Sequence, residues 1–227
     1  MAYLDRFERD RFETSAGALV ITFLGHGTLM FEHDGLTVHV DPFGRVADYH
    51  QLPPADLVLI THEHFDHLDV AAVALVRGAD SAVVLTAPCA EHIHDGIVMG
   101  NGEERSVKGV PIESVPAYNM VHKRPNGQPF HPRGAGNGYV VTFGDLRVYV
   151  AGDTEDVPEM RDLRDIDIAF LPMNLPYTMT PEMAAAAARM VRPRVLYPYH
   201  YGDTDTTRLV DLLRGDPDIE IRIRRLA

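Results

Sequence analysis

Residues 61–67 read T-H-E-H-F-D-H, so three histidines and an aspartate share six consecutive positions. They directly follow the apolar run 57–60, Leu-Val-Leu-Ile, which places them in the loop at the C-terminal end of a buried strand. Positions i and i+2 of an extended segment point the same way, so His62 and His64 can face one ion. After a bend, Asp66 and His67 can face a second ion nearby. Imidazole together with carboxylate suits zinc, iron or manganese rather than calcium. The competing interpretation is a polar loop with unrelated surface histidines. The density of ligand-type residues just after a buried strand argues against it.

One segment cannot complete two coordination shells. Asp153, in A-G-D-T, and His200, in Y-P-Y-H-Y-G, each follow a predicted strand. Taken singly they read as a turn aspartate and a hydrogen-bonded histidine. Their place at strand ends equivalent to the first cluster raises both as further ligands.

Short β-branched runs broken by turn residues must position these groups. Strand character is expected over 18–25, 29–33, 36–43, 55–62, 81–88, 110–118, 138–154, 166–174 and 194–202, with 220–225 as a final edge strand. Asp34-Gly35 and Gly144-Asp145 mark two hairpin turns. Helices are expected over 69–79, with Asp69 near the start, over 180–193 and over 205–215. Thr180 caps the second of these, Pro181 opens it and Pro193 stops it. The segment up to about Thr14 reads as a short helix or loose arm. Residues 119–137, rich in Gly, Pro and basic side chains, form the longest irregular stretch, and such a loop is a functional lid or is disordered. No low-complexity linker divides the chain, so 1–227 is read as one domain. The halves also resemble each other: F-E-H-D-G-L-T-V-H-V-D-P matches V-T-F-G-D-L-R-V-Y-V-A-G-D-T, and the strands that follow keep the same order. Duplicated halves imply two mixed sheets face to face with helices outside. Asp41, His62, Asp153 and His200 would then fall on one edge.

Bulk properties narrow the function. The 227 residues are 45% hydrophobic and 24% charged, ordinary for a chain with a substantial core. A net charge of -12 opposes nucleic acid and anionic membrane as partners. No apolar run reaches the roughly 18–20 residues of a membrane span. The charged N-terminus carries no secretory signal, and the single Cys89 fits a reducing cytoplasm. Cys89 is expected to be a small half-buried residue. Of the remaining histidines, His33 is expected to be exposed, His39 to face solvent or a neighbouring strand, and His92 and His94 to lie on the surface. His26, in L-G-H-G-T, either looks into the cleft or satisfies loop backbone.

T-H-E-H-F-D-H, with V-D-P before it and G-D-T and Y-H-Y-G after it, resembles the metallo-β-lactamase superfamily over nearly the whole chain. G-H-G, F-H-P-R-G and A-G-D-T-E-D-V-P-E-M resemble the branch of metal-dependent hydrolases that includes L-ascorbate-6-phosphate lactonase and N-acyl-phosphatidylethanolamine phospholipase D. The resemblance implies an α/β fold, a four-layer αββα sandwich with two divalent ions at one edge, zinc first and manganese or iron as alternatives. It implies His62 and His64 on the first ion, Asp66, His67 and His200 on the second, and Asp153 between them. Asp41 would orient a ligand histidine from behind. The family places a further histidine where this chain has Asn119, a poorer ligand for zinc. His131 is favoured to take its place; His122 and Asn119 itself stay open.

The expected chemistry is hydrolysis by a dinuclear metal-bound hydroxide of a small, anionic ester, lactone or phosphodiester. Asp66 and Asp153 would handle the proton. Tyr177 would donate to the substrate or oxyanion, unless it is only a packed loop aromatic. Lys123, Arg124 and Arg133 form a basic patch that would favour the anion. The alternative is a di-iron redox or sensor protein without hydrolysis; a nuclease is disfavoured by the charge. The oligomeric state is open, a homo-oligomer included.

Overall fold

The computed structural model describes residues 3–227. Among these, fourteen strands form two seven-stranded sheets and three α-helices lie between strands. The first sheet runs β1 (Glu8–Thr14), β2 (Gly17–Gly25), β3 (Thr28–His33), β4 (Leu36–Val40), β5 (Ala55–Leu59), β6 (Arg77–Leu85) and β7 (Ile97–Val98). The second runs β8 (Glu104–Val107), β9 (Val110–Ala117), β10 (Gly136–Phe143), β11 (Leu146–Val150), β12 (Ile168–Pro172), β13 (Val195–Tyr199) and β14 (Glu220–Ile221). Both follow chain order across the sheet, and both pair their first four strands antiparallel and the remainder parallel. This shared pattern is the duplication expected from the sequence.

The parallel pairs require crossovers, and helices supply them. Helix α1 (Val70–Val76) joins β5 to β6, α2 (Pro181–Val191) joins β12 to β13, and α3 (Thr206–Leu212) joins β13 to β14. Asp69 caps α1 through the N–H groups of Ala71 and Ala72, and Thr180 caps α2 through that of Met183. Alternation along each buried strand feeds two layers at once. Leu57 and Leu59 enter the core between the sheets, while Val58 and Ile60 pack on the α1 side. Ile168 and Phe170 likewise face the central core, while Ala169 and Leu171 meet α2. The outcome is the four-layer αββα sandwich, built from continuous apolar runs because both faces of each central strand are covered.

Both hairpin turns form where expected, joining His33 to Leu36 and Phe143 to Leu146. Asp34 and Gly35 both have positive φ, as the favoured two-residue turn requires.

Three expectations fail, each for a local reason. The segment before Thr14 is not a helix or loose arm over the described residues: beyond a 3-10 turn at Tyr3–Arg6 it is strand β1. Met1 and Ala2 lie outside the described residues. Strand β1 escapes a hydrophobic-pattern search because one inward position is Asp10, which accepts from Arg222, Arg224 and Tyr197. Helix α1 stops at Val76 instead of 79, and 77–80 join β6. The valines at 70, 73 and 76 are weak helix formers, and Arg77 turns extended to reach Asp95. The final strand is only Glu220–Ile221, because Arg222 and Arg224 leave the ladder for Asp10. Strands β7 and β8 are short and carried no clear alternation.

Single side chains also depart from expectation. Cys89 is fully buried rather than half-buried, with Thr86 Oγ1 donating to its sulfur, and burial pushes its thiol up to about 11. His39 is fully buried against Tyr49, its Nε2 3.1 Å from the carbonyl oxygen of Pro53. His33 is only half-exposed and meets Thr14 Oγ1 at 3.1 Å. His92 and His94 are exposed, as expected.

Candidate metal centre

Strand ends converge at one edge of the sandwich. Asp41 follows β4, the 61–67 segment follows β5, Asp153 follows β11 and His200 follows β13. Backbone turns aim these groups. His67 N and Leu68 N both donate to the His64 carbonyl oxygen, forming the bend that separates His62 and His64 from Asp66 and His67. Gly152 has φ +66, and a Cβ there would stand 2.8 Å from the Asn137 oxygen, so glycine lets the chain fold Asp153 inward.

Asp153 is the hub. Its Oδ2 lies 3.3 Å from His131 Nε2, 3.5 Å from His200 Nε2 and 4.0 Å from His62 Nε2. Its Oδ1 lies 3.5 Å from His67 Nε2. Asp66 Oδ2 lies 3.7 Å from His200 Nε2, 3.9 Å from His67 Nε2 and 3.0 Å from His26 Nε2. His64 Nδ1 meets His131 Nε2 at 3.2 Å. Three overlapping groups have ligand atoms mutually within 4.8 Å: His62, His64 and His131; His62, His67 and Asp153; and His26, Asp66, His67 and His200.

Hydrogen bonds fix which ring nitrogens stay free. Asp41 accepts from Thr61 N at 2.8 Å and from Thr61 Oγ1 at 2.6 Å, and His67 Nδ1 lies 2.8 Å from its Oδ2. The Thr61 hydroxyl proton is thereby used, so at 3.0 Å His62 Nδ1 must donate to Thr61 Oγ1. Both histidines are left with Nε2 pointing toward Asp153. Asp41 is buried and directed at His67, on the side of the ring away from Asp153. Asn119 does not point at the centre: its Oδ1 accepts from His131 N at 2.8 Å and sits 2.7 Å from His131 Nδ1. His131, not Asn119, therefore joins His62 and His64 in a candidate ligand group. His122 faces the other way, its Nδ1 2.9 Å from Glu155 Oε1. His26 turns into the cleft beside Asp66.

The donor set passes a test of fit to cations. His62 Nε2, His67 Nε2, His200 Nε2 and Asp153 Oδ1 are buried and make no hydrogen bond among the described residues. Leaving such groups unpaired is costly, and convergent imidazole and carboxylate lone pairs are what a borderline divalent ion takes. Protons feel the same field. Burial, with His67 beside it, holds His62 well below its usual range. Burial alone would lower His67 too, but the charges of Asp153 and Asp41 overcome it and raise His67 to about 9. Burial would raise Asp66, yet the hydrogen bond from His26 and the charge of His67 bring it to about 2.

The centre opens into a cleft of about 320 Å³ lined by His64, Phe65, Asp66, Arg124, Asn174 and Tyr177, among others. Arg124 Nη2 is 3.3 Å from His64 Nε2, and its guanidinium stacks 5.2 Å over Phe130. Of the three basic loop residues, Arg124 alone lines this cleft. Arg133 pairs with Glu159, and Lys123 is exposed on the small hairpin within the loop. Tyr177 stands at the rim, 45% exposed, its ring edge-on to Phe130 at 5.0 Å.

Sequence reasoning missed Thr61, Asn174 and Glu155. Thr61 opens the histidine motif itself. The Asn174 amide lies 3.3 Å from His200 Nδ1, and it follows β12 as the histidine motif follows β5. Glu155, fully buried, accepts from Asn119 Nδ2 and the N–H groups of Met120, Val121 and His122. Its position two after Asp153 was the available signal.

Comparison with known proteins agrees with this geometry. The family model described as the β-lactamase superfamily domain matches residues 20–200. A UPF0173 metal-dependent hydrolase from Methanopyrus kandleri is 34% identical over 196 residues, 80% of this chain and 84% of that protein. A crystal structure from Parabacteroides distasonis, described as a metal-dependent hydrolase, superposes with a TM-score of 0.93 at 49% identity over 97% of this chain and all of its own. The diiron β-hydroxylase CmlA from Streptomyces venezuelae shares the fold alone, with a TM-score of 0.71 and 18% identity over 94% of this chain and 54% of its own. By family match, identity and architecture together, this chain belongs to the metallo-β-lactamase superfamily.

Proposed function

We propose that the protein is a metal-dependent hydrolase that holds two divalent ions and cleaves a small anionic ester, lactone or phosphodiester. The observation that carries this is the set of four buried, unpaired ligand atoms on His62, His67, His200 and Asp153. His62, His64 and His131 would hold one ion; Asp66, His67 and His200, with His26 close by, would hold the other; Asp153 would lie between them. Zinc is the first choice for these ligands, with manganese or iron as alternatives. Two such ions supply Lewis acidity and bring the pKa of a coordinated water down to about 7.

The chain's own groups do the remainder. Asp153 and Asp66 would hold carboxylate oxygens where a proton is released, and His26 Nε2, donating to Asp66 at 3.0 Å, steadies that carboxylate. Arg124 offers a guanidinium to an anionic substituent. Phe65, Phe130 and Tyr177 give the cleft apolar walls, and the Tyr177 hydroxyl would donate to the substrate. One catalytic domain spanning 1–227 and a cytoplasmic setting belong to the same proposal, the latter on the strength of a lone buried thiol. Among the described residues no helix is long and apolar enough to cross a membrane.

The test is a screen of zinc- and manganese-loaded protein against lactones, phosphodiesters and carboxylic esters. His64→Ala and Asp153→Ala should abolish whatever turnover appears while circular dichroism shows the fold intact. Undiminished turnover in both variants would refute the assignment. Metal analysis of the same sample separates the redox alternative, which requires two irons and a visible absorption band.

A further inference from the structure

Asn119 stands where the family resemblance implies a metal-binding histidine, and its surroundings give it a different task. Its amide cannot be turned end for end. Nδ2 donates to Glu155 Oε1 at 3.0 Å and to the Tyr177 carbonyl oxygen at 2.9 Å, and both of these are acceptors only. Oδ1 must therefore face His131, where it receives the backbone N–H at 2.8 Å and lies 2.7 Å from ring Nδ1. A carbonyl oxygen has no proton to give, so Nδ1 must carry one. A neutral imidazole protonated at Nδ1 has its lone pair on Nε2, the atom 3.3 Å from Asp153 Oδ2 and 3.2 Å from His64 Nδ1.

Glu155 holds this arrangement from below. Besides Asn119 Nδ2, its carboxylate accepts from Met120 N at 2.7 Å, Val121 N at 2.7 Å and His122 N at 2.6 Å. Four donors converge on one fully buried carboxylate, which pins the start of the irregular loop to the turn that carries Asp153. The loop closes on itself at the same point, because Asn119 N donates to the His131 carbonyl oxygen at 2.9 Å. The third histidine of the first candidate group thus comes from a loop residue fourteen positions beyond the end of β9, tied back to the strand end through Asn119.

We propose that Glu155 and Asn119 are positioning residues that act in series: Glu155 orients the Asn119 amide, the amide selects the His131 tautomer with Nε2 free, and this sets the metal affinity of the His62–His64–His131 site. The proposal rests on the two-ion centre described above. Glu155→Gln places an amide among donors, and Asn119→Ala removes the link while leaving Glu155 its three backbone partners.

The experiment titrates zinc into metal-free full-length protein against a chelating dye and records imidazole ¹⁵N spectra of the metal-free protein. Wild type should bind two zinc ions and show His131 protonated at Nδ1. In both variants one zinc should bind about 10- to 100-fold more weakly, the other should be unchanged, and the Nδ1–H signature of His131 should be lost. Cobalt substitution should show the altered coordination as a changed visible spectrum. Should Glu155→Gln fail to fold, Asn119→Ala decides. Two zinc ions bound at wild-type affinity, with His131 still protonated at Nδ1, would overturn the positioning role and leave the metal centre standing. Wild-type protein that takes up no zinc would instead overturn the centre itself.

Discussion

His39 gives the most quantitative handle on the fold. It is fully buried on the α1 side of β4, and its surroundings hold it neutral: burial lowers its pKa from 6.5 to about 4, against the smaller opposing effect of its bond to Pro53. The unfolded chain binds a proton below about pH 6.5 that the folded chain refuses until about pH 4. Folding stability therefore falls with acidity across that window and levels off beneath it. At about 1.4 kcal/mol for each pH unit, His39 alone removes about 3 kcal/mol between the two limits. Replacing it with leucine loses one hydrogen bond, worth about 1 kcal/mol, at neutral pH, but also removes the acid penalty. His39→Leu should be about 1 kcal/mol less stable than wild type at pH 7 and about 2 kcal/mol more stable at pH 4, with the curves crossing between about pH 5 and 6. Urea denaturation of both proteins at stepped pH, with chelator present throughout, measures this directly. Because the metal-site histidines titrate alike in both proteins, the difference isolates position 39. Parallel stability curves would refute a neutral buried His39.

Other consequences follow from contacts already described. Asp10→Asn should cost about 2 kcal/mol by urea denaturation, since it weakens bonds to Arg222, Arg224 and Tyr197. Burial would raise the Asp10 carboxyl, but Tyr197 and Arg224 lower it below its ordinary value, so the wild-type advantage is full above about pH 4 and disappears in more acid solution. A Cβ at Gly27 would stand 2.8 Å from His67 Cε1; Gly27→Ala should cost about 2 kcal/mol and lower the zinc content measured by atomic absorption. Arg124→Ala should raise KM for an anionic substrate about 10-fold while leaving kcat within about 2-fold, and should hardly affect a neutral analogue. Chelation should lower the melting temperature; zinc restored at about a hundred times its dissociation constant should return about 2.7 kcal/mol.

The parts of the centre that were legible in the sequence are those that repeat or cluster. T-H-E-H-F-D-H is contiguous, and Asp153 and His200 were recoverable because each ends a strand with a counterpart in the other half. Glu155 was not, because three of its four partners are backbone N–H groups, which leave no mark on residue type. His131 was favoured from its place in the loop, but why it and not His122 could not be read, since the choice is made by the Asn119 amide and by the Glu155 carboxylate lying beside His122. Strand β1 was lost for a related reason: its inward aspartate is balanced by arginines more than two hundred residues later, beyond the reach of any local pattern.

Each candidate ion group draws on both halves of the chain. His200 joins His26, Asp66 and His67; His131 joins His62 and His64; Asp153 joins His62 and His67. Neither half made alone has a complete candidate cage, so cations held there would not template the earliest steps of folding: the groups are complete only once synthesis has passed residues 131, 153 and 200 in turn. Once caught, the cations would act as cross-braces between the duplicated halves. Scarcity of the ion should then show first as fraying at this junction, with proteolytic nicking there preceding any loss of the distant strands.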